Sequence, residues 1–243
     1  MSEKWIKVRS SEGGGFDCYL NVPENGRQVP AVVLASAVHG VDADIVAIAD
    51  EFAAQGFIAA APDLFWRTVP GPLPHDDGRA QQRSQPRLEK IQQGEADMAD
   101  TLARLGEVPE FNGSAVAMGF CYGGPYAILG LKRLGYAAGI SCHGTQMLDY
   151  LHELEDVSEP VCILWGDRDH RAPDEVLSAY RALASRKKNV EVHIFPGVQH
   201  GYMMRGSPKA FDPQARAFSM TRAVAILNGF RSRNVQKPLR EAS

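Results

Sequence analysis

At 243 residues and 44% hydrophobic, the chain can bury the core of one compact α/β domain and leaves little room for a second. Its formal net charge of −3 gives no attraction to nucleic acid or to an acidic membrane surface, so neither is expected as a partner. Met1–Ser10 is polar, and no apolar run approaches the roughly 20 residues needed to cross a bilayer, so the expectation is a cytoplasmic protein without a signal peptide.

Taken in chain order, Trp5–Val8 and Phe16–Val22 flank the turn-forming Ser-Glu-Gly-Gly-Gly stretch and predict an antiparallel pair. From Pro30 onward the pattern alternates. Ala31–Ser36 is an unbroken apolar strand, as expected where both sheet faces are covered. Ile45, Ile48, Ala49 and Phe52 fall on one face of a helix that ends near Gly56. Phe57–Ala61 is the next strand, stopped by Pro62. A long polar loop follows, with Pro70, Pro72, Pro74, His75, Asp76 and Asp77, of the kind that forms a lid or substrate loop. Helix is expected over Leu88–Leu105, Tyr122–Leu134, Pro173–Ser185 and Ala210–Phe230, and strand over Ser114–Met118, Ala137–Cys142, Val161–Trp165 and Val190–Phe195. The polar tail Arg231–Ser243 reads as loose. The alternation predicts one α/β domain over residues 1–243, with a mostly parallel central sheet, helices on both faces, and a site at the carboxyl ends of the strands.

Cys18, Cys121, Cys142 and Cys162 show no C-x-x-C or zinc-ligand spacing, and no H-E-x-x-H occurs, so no metal site is expected. Three of them sit in apolar, strand-like segments and read as small buried hydrophobes. Cys121 differs. Gly119-Phe120-Cys121-Tyr122-Gly123 stands between a strand and a helix and has the G-x-S-x-G elbow pattern with Cys in place of Ser. An abrupt strand-to-helix turn leaves no room for side chains at the flanking positions, and a helix start favours the reactive thiolate.

Downstream, Val161–Trp165 runs into Gly166-Asp167-Arg168-Asp169-His170, and Val192–Phe195 runs into Pro196-Gly197-Val198-Gln199-His200-Gly201. Nucleophile, acid and histidine then follow in the chain order of the α/β-hydrolase fold. Either aspartate can supply the acid. Asp169 is favoured because Gly166–Asp169 forms a Gly-x-x-Asp turn, with Asp167 facing solvent or pairing with Arg168. His200 would relay protons while the acid orients it. Backbone N–H groups of Tyr122 and Val38 are the expected oxyanion donors. His39 reads equally as a pocket group or as a loop residue.

The chain resembles the dienelactone hydrolase (carboxymethylenebutenolidase) family over nearly its whole length. The resemblance is carried by Gly40-Val41, Gln55-Gly56-Phe57, Pro62-Asp63-Leu64-Phe65, the Cys121 elbow through Gly124, Asp169-His170 with Pro173, and Gly197 with His200. It implies cytosolic, cofactor-free hydrolysis of a small ester or lactone through an acyl-thiol intermediate, with Cys121, Asp169 and His200 as the triad. Thioester hydrolysis on the same triad, or a silent ligand-binding scaffold, are the alternatives. Where the family has a glutamate that helps deprotonate the cysteine, this chain has Ala37. Of the family's two carboxylate-binding arginines, Arg79 stands near the first position, and the second falls at Arg205 with Met204 as the alternative. His143, after the strand Ala137–Cys142, is a further candidate for the pocket.

Overall fold

The computed structural model describes residues 4–85, 90–171 and 173–232. Its centre is an eight-stranded sheet in the order β1-β2-β4-β3-β5-β6-β7-β8. β1 (Trp5–Arg9) and β2 (Gly15–Asn21) form the expected antiparallel pair, and β2 also runs antiparallel to β4 (Ile58–Pro62). All later pairings, through β3 (Val29–Ala35), β5 (Phe111–Phe120), β6 (Ala138–Cys142), β7 (Val161–Gly166) and β8 (Val190–Phe195), are parallel.

The central strands read as continuous apolar runs because helices cover both faces. On β3, Ala31, Val33 and Ala35 enter one core layer, while Val32 and Leu34 enter the other. This is the two-residue side-chain period of a strand applied to a sheet without a wet face. Helix α1 (Ala43–Ala54) buries Ile45, Ile48, Ala49 and Phe52, the four residues its periodicity singles out. Each of the three larger side chains contributes on the order of 2 kcal/mol by leaving water. Asp42 starts this helix, its Oδ1 accepting from the N–H groups of Asp44 at 3.1 Å and Ile45 at 3.0 Å.

Two departures from the sequence reading concern helices. The loop after β4 contains a short helix α2 (Arg79–Gln82), and α3 begins at Ile91 and ends at Leu105. The expected start of α3 at Leu88 lies outside the described residues, as does most of the expected loose tail. The expected helix Tyr122–Leu134 is a composite: a 3-10 turn at Cys121–Gly123, then α4 (Gly124–Leu129), then a π-helical turn at Gly130–Leu134. Pro125 sits in the first turn of α4, where a missing N–H breaks no helical bond. Helices α5 (Asp174–Arg186) and α6 (Pro213–Asn228) complete the layers.

The strand order reverses between β3 and β5, since β3 leads to β4 on one side and β5 on the other. In open α/β sheets the crevice at such a switch point is where ligands bind. The loop after β3 and the residue that follows β5 both open onto it.

Candidate active site

Cys121 follows β5 with φ of 49°, a left-handed conformation uncommon for a residue with a side chain. Its neighbours explain how the chain holds that turn. A Cβ on Gly119 would lie 2.1 Å from the Gly123 carbonyl oxygen, and one on Gly123 would lie 1.9 Å from that of Ala35. The elbow therefore packs backbone against backbone, and only glycine fits at either position.

The thiol faces His200. His200 Nε2 stands 3.1 Å from Cys121 Sγ, and Nδ1–H donates to Asp169 Oδ2 at 2.6 Å. Asp169 is buried at 3% exposure, and its second oxygen accepts from the Arg171 N–H at 2.8 Å. Burial alone would lower the His200 pKa, but the bonds to Asp169 and Cys121 outweigh it and raise it to about 9. Asp167 neither reaches His200 nor pairs with Arg168. Its Oδ1 accepts from Gly197 N–H at 2.7 Å and braces the turn after β8. The other cysteines are buried, as expected.

A cavity of about 280 Å³ opens over the thiol. Ala37, Val38, His39, Tyr122, His143 and His200 are among its lining residues. The Gly40 N–H donates to the Ala37 carbonyl at 3.0 Å, which turns the N–H of Val38, on the opposite side of the same trans peptide, the other way. His39 is a wall residue. Its ring stacks on His75 at 4.1 Å, and burial, followed by the neighbouring His75, lowers its pKa. His143 lines the cavity floor with φ of 39°, buried at 0% exposure.

The two arginines do not join these residues. Arg79 forks onto the Asp77 carboxylate beside it at 2.7 Å, with its side chain 60% exposed and outside the cavity lining. Arg205 turns toward Glu51 at 3.4 Å and is likewise outside it; Met204, the alternative position, lines the cavity. A nearby carboxylate decides the matter in each case. Sequence reasoning missed Arg171, which lines the cavity with no ion-pair partner among the described residues and is the only permanent charge among the lining residues. Its place two residues after Asp169 was the available signal. The long loop does contribute to the site, through His75, Gln81 and Ser84.

Comparison with known proteins gives the family. The model of the Dienelactone hydrolase family matches residues 16–230. The chain belongs to the dienelactone hydrolase family. Among its relatives, carboxymethylenebutenolidase 1 of Cupriavidus pinatubonensis is 26% identical over 231 residues, covering 93% of this chain and 97% of the relative. A carboxymethylenebutenolidase from a Pseudomonas species is also 26% identical over 231 residues, covering 93% and 95%. The fold matches the dienelactone hydrolase of Anabaena variabilis with a TM-score of 0.68 at 14% identity, covering 94% of this chain and 100% of that one. It also matches a dienelactone hydrolase-like promiscuous phosphotriesterase from metagenomic libraries with a TM-score of 0.78 at 21% identity, covering 93% and 98%. Among the described residues no helix is long and apolar enough to cross a membrane.

Proposed function

We propose that this member of the dienelactone hydrolase family hydrolyses carboxylic esters or lactones through an acyl-thiol intermediate on Cys121. The observation that carries the reading is the continuous relay from Cys121 Sγ through His200 to the buried Asp169, with links of 3.1 and 2.6 Å. With its pKa raised to about 9 and Nε2 at 3.1 Å from the sulfur, His200 holds the proton as the sulfur attacks. The sulfur attacks the carbonyl carbon, and the oxyanion that forms is met by the N–H groups of Val38 and Tyr122. As the C–O bond breaks, His200 gives its proton to the leaving alkoxide, which in a lactone stays tethered to the acyl group. His200 then takes a proton from water, the hydroxide adds to the thioester, and the C–S bond breaks to release the acid. Asp169 keeps the imidazole in the one tautomer that serves both steps.

The described lining residues offer hydrogen-bonding groups, one permanent cation and no carboxylate, so a neutral or anionic small ester fits the cavity chemistry. The test is rapid mixing with an activated aryl ester. A burst of phenolate equal to the enzyme concentration, a thioester adduct on Cys121, and loss of both in Cys121→Ala are the expected results. Turnover that survives Cys121→Ala, or no turnover of any ester, lactone or thioester in a panel, overturns the reading.

A further inference from the structure

The Pro62-Asp63-Leu64-Phe65 segment lies outside the relay, yet its polar atoms organise one turn. Asp63, 4% exposed, accepts from Phe65 N–H at 2.9 Å through Oδ1 and from Gly71 N–H at 2.6 Å through Oδ2. The turn so formed presents the carbonyls of Val69 and Gly71 to Arg83, whose Nη1 donates to them at 2.9 and 2.7 Å. Arg83 is 1% exposed and has no carboxylate at ion-pair distance among the described residues. A guanidinium buried on carbonyls alone is costly. Burial lowers its pKa, with the Asp63 charge opposing.

The remaining contacts of Arg83 lead to the oxyanion donors. Its Nε–H donates to the Val38 carbonyl at 2.6 Å. Its guanidinium lies 4.2 Å over the Phe65 ring, and Phe65 packs on the Tyr122 ring at 4.7 Å. The peptides on both sides of Val38 are thus held by their carbonyls, Ala37 by Gly40 N–H at 3.0 Å and Val38 by Arg83 at 2.6 Å. One direction is left for the N–H between them. Gly40 lets the loop close on the cation, since a Cβ there would lie 2.8 Å from Arg83 Nη2. Leu73 N–H adds a third hold, donating to the His39 carbonyl at 2.9 Å.

We infer that Arg83 is a positioning residue for the oxyanion site, setting the Val38 N–H by hydrogen bond and the Tyr122 N–H through Phe65. The inference rests on the acyl-thiol reading above. Arg83 touches none of the three relay residues and does not itself line the cavity, so its effect is confined to steps that build an oxyanion. Acylation by an aryl ester forms the S–C bond through an oxyanion and then expels the phenolate. Alkylation by iodoacetamide forms an S–C bond with loss of iodide and builds no oxyanion.

The experiment compares the two rates in Arg83→Met, Arg83→Lys and wild type. Removing a whole oxyanion donor costs about 10²–10³ in rate, and misaligning one should cost about tenfold or more. The expected result is slower acylation in Arg83→Met, carried by kcat with KM nearly unchanged, alkylation of Cys121 at the wild-type rate, and partial recovery in Arg83→Lys. If Arg83→Met does not fold, Phe65→Leu removes the ring beneath the guanidinium and leaves its carbonyl bonds. It should show the same split at smaller size. Parallel loss of acylation and alkylation, or loss of neither, overturns the inference while a wild-type burst leaves the acyl-thiol reading standing. A wild-type enzyme without a Cys121-dependent burst overturns both.

Discussion

The ring of His143 meets that of His200 edge-on, with centroids 5.0 Å apart. The two imidazoles are in opposite states. Burial, then the neighbouring His200 charge, holds His143 well below its ordinary pKa of 6.5, and neither of its ring nitrogens has a hydrogen-bond partner among the described residues. His200 moves the other way, to about 9, because its bonds to Asp169 and Cys121 outweigh its burial. In an NMR titration the His200 ring should have its midpoint near 9, and His143 should stay neutral across the neutral range. The sign for stability follows from the raised value. The stabilisation due to protonated His200 is full below 6.5 and is lost as pH rises through about 9. Melting temperature should therefore fall over that window in wild type, and fall less steeply in His200→Gln. A flat wild-type profile, or a His143 that titrates at neutral pH, contradicts this picture.

Alkylation should separate the four cysteines. Burial pushes the thiols of Cys18 and Cys142 up to about 12 and that of Cys162 higher, while Cys121 is part-exposed beside His200. Iodoacetamide should modify Cys121 first, with activity lost in step. Peptide mapping that found inactivation at a buried cysteine would sink the assignment.

The two aspartates of the loop after β7 should fail differently. Asp169→Asn leaves the fold and removes the group that orients His200, so kcat should drop by about 10⁴, the size seen in the best-studied triad. Asp167→Asn loses the brace on Gly197 N–H and should lower melting temperature slightly with little effect on turnover. The reverse pattern would transfer the acid role to Asp167.

Charge recognition should follow the cavity lining and not the family positions. Arg79 and Arg205 are turned to Asp77 and Glu51, whereas Arg171 lines the cavity without an ion pair among the described residues. With a neutral aryl ester and its hemisuccinate analogue as substrates, Arg171→Ala should raise KM for the anionic one by about fivefold at low salt. Arg79→Ala and Arg205→Ala should leave the ratio of the two KM values where it was. A change in either arginine variant matching that of Arg171→Ala would restore it to the binding site.

What could be read from the sequence depended on whether the signal was local. Ile45, Ile48, Ala49 and Phe52 announce their helix because a 3.6-residue period is visible within one segment. The relay was legible because its residues follow strands in a known chain order, and a parallel sheet brings strand ends together. Arg79 and Arg205 misled because a matching position gives the place of a backbone atom, while Asp77 and Glu51 decide where each guanidinium points. Arg83 carried no signal at all: its acceptors are carbonyls of Val38, Val69 and Gly71, groups every residue has. The break of 121–134 into 3-10, α and π turns is a matter of hydrogen-bond register, which the apolar pattern does not encode.

Ala37 permits a sharper test of how the thiol is activated. It lines the cavity at 8% exposure, next to Val38, where the family resemblance places a glutamate. Among the described lining residues there is no carboxylate to compete with Asp169 for the imidazolium or to repel a thiolate. Activation then needs no substrate carboxylate to displace a glutamate, and neutral esters should be turned over as readily as charged ones. Introducing the carboxylate reverses the logic. In Ala37→Glu a negative charge beside the sulfur disfavours the thiolate and offers His200 a second acceptor. Alkylation of the free enzyme by iodoacetamide should slow by about tenfold, the equivalent of one pKa unit of added bias. Turnover of neutral esters should fall with it, and an anionic ester should recover part of the loss by drawing the new glutamate away. Faster alkylation, or faster turnover of neutral esters in Ala37→Glu, would mean that the natural chain lacks an activating group it needs.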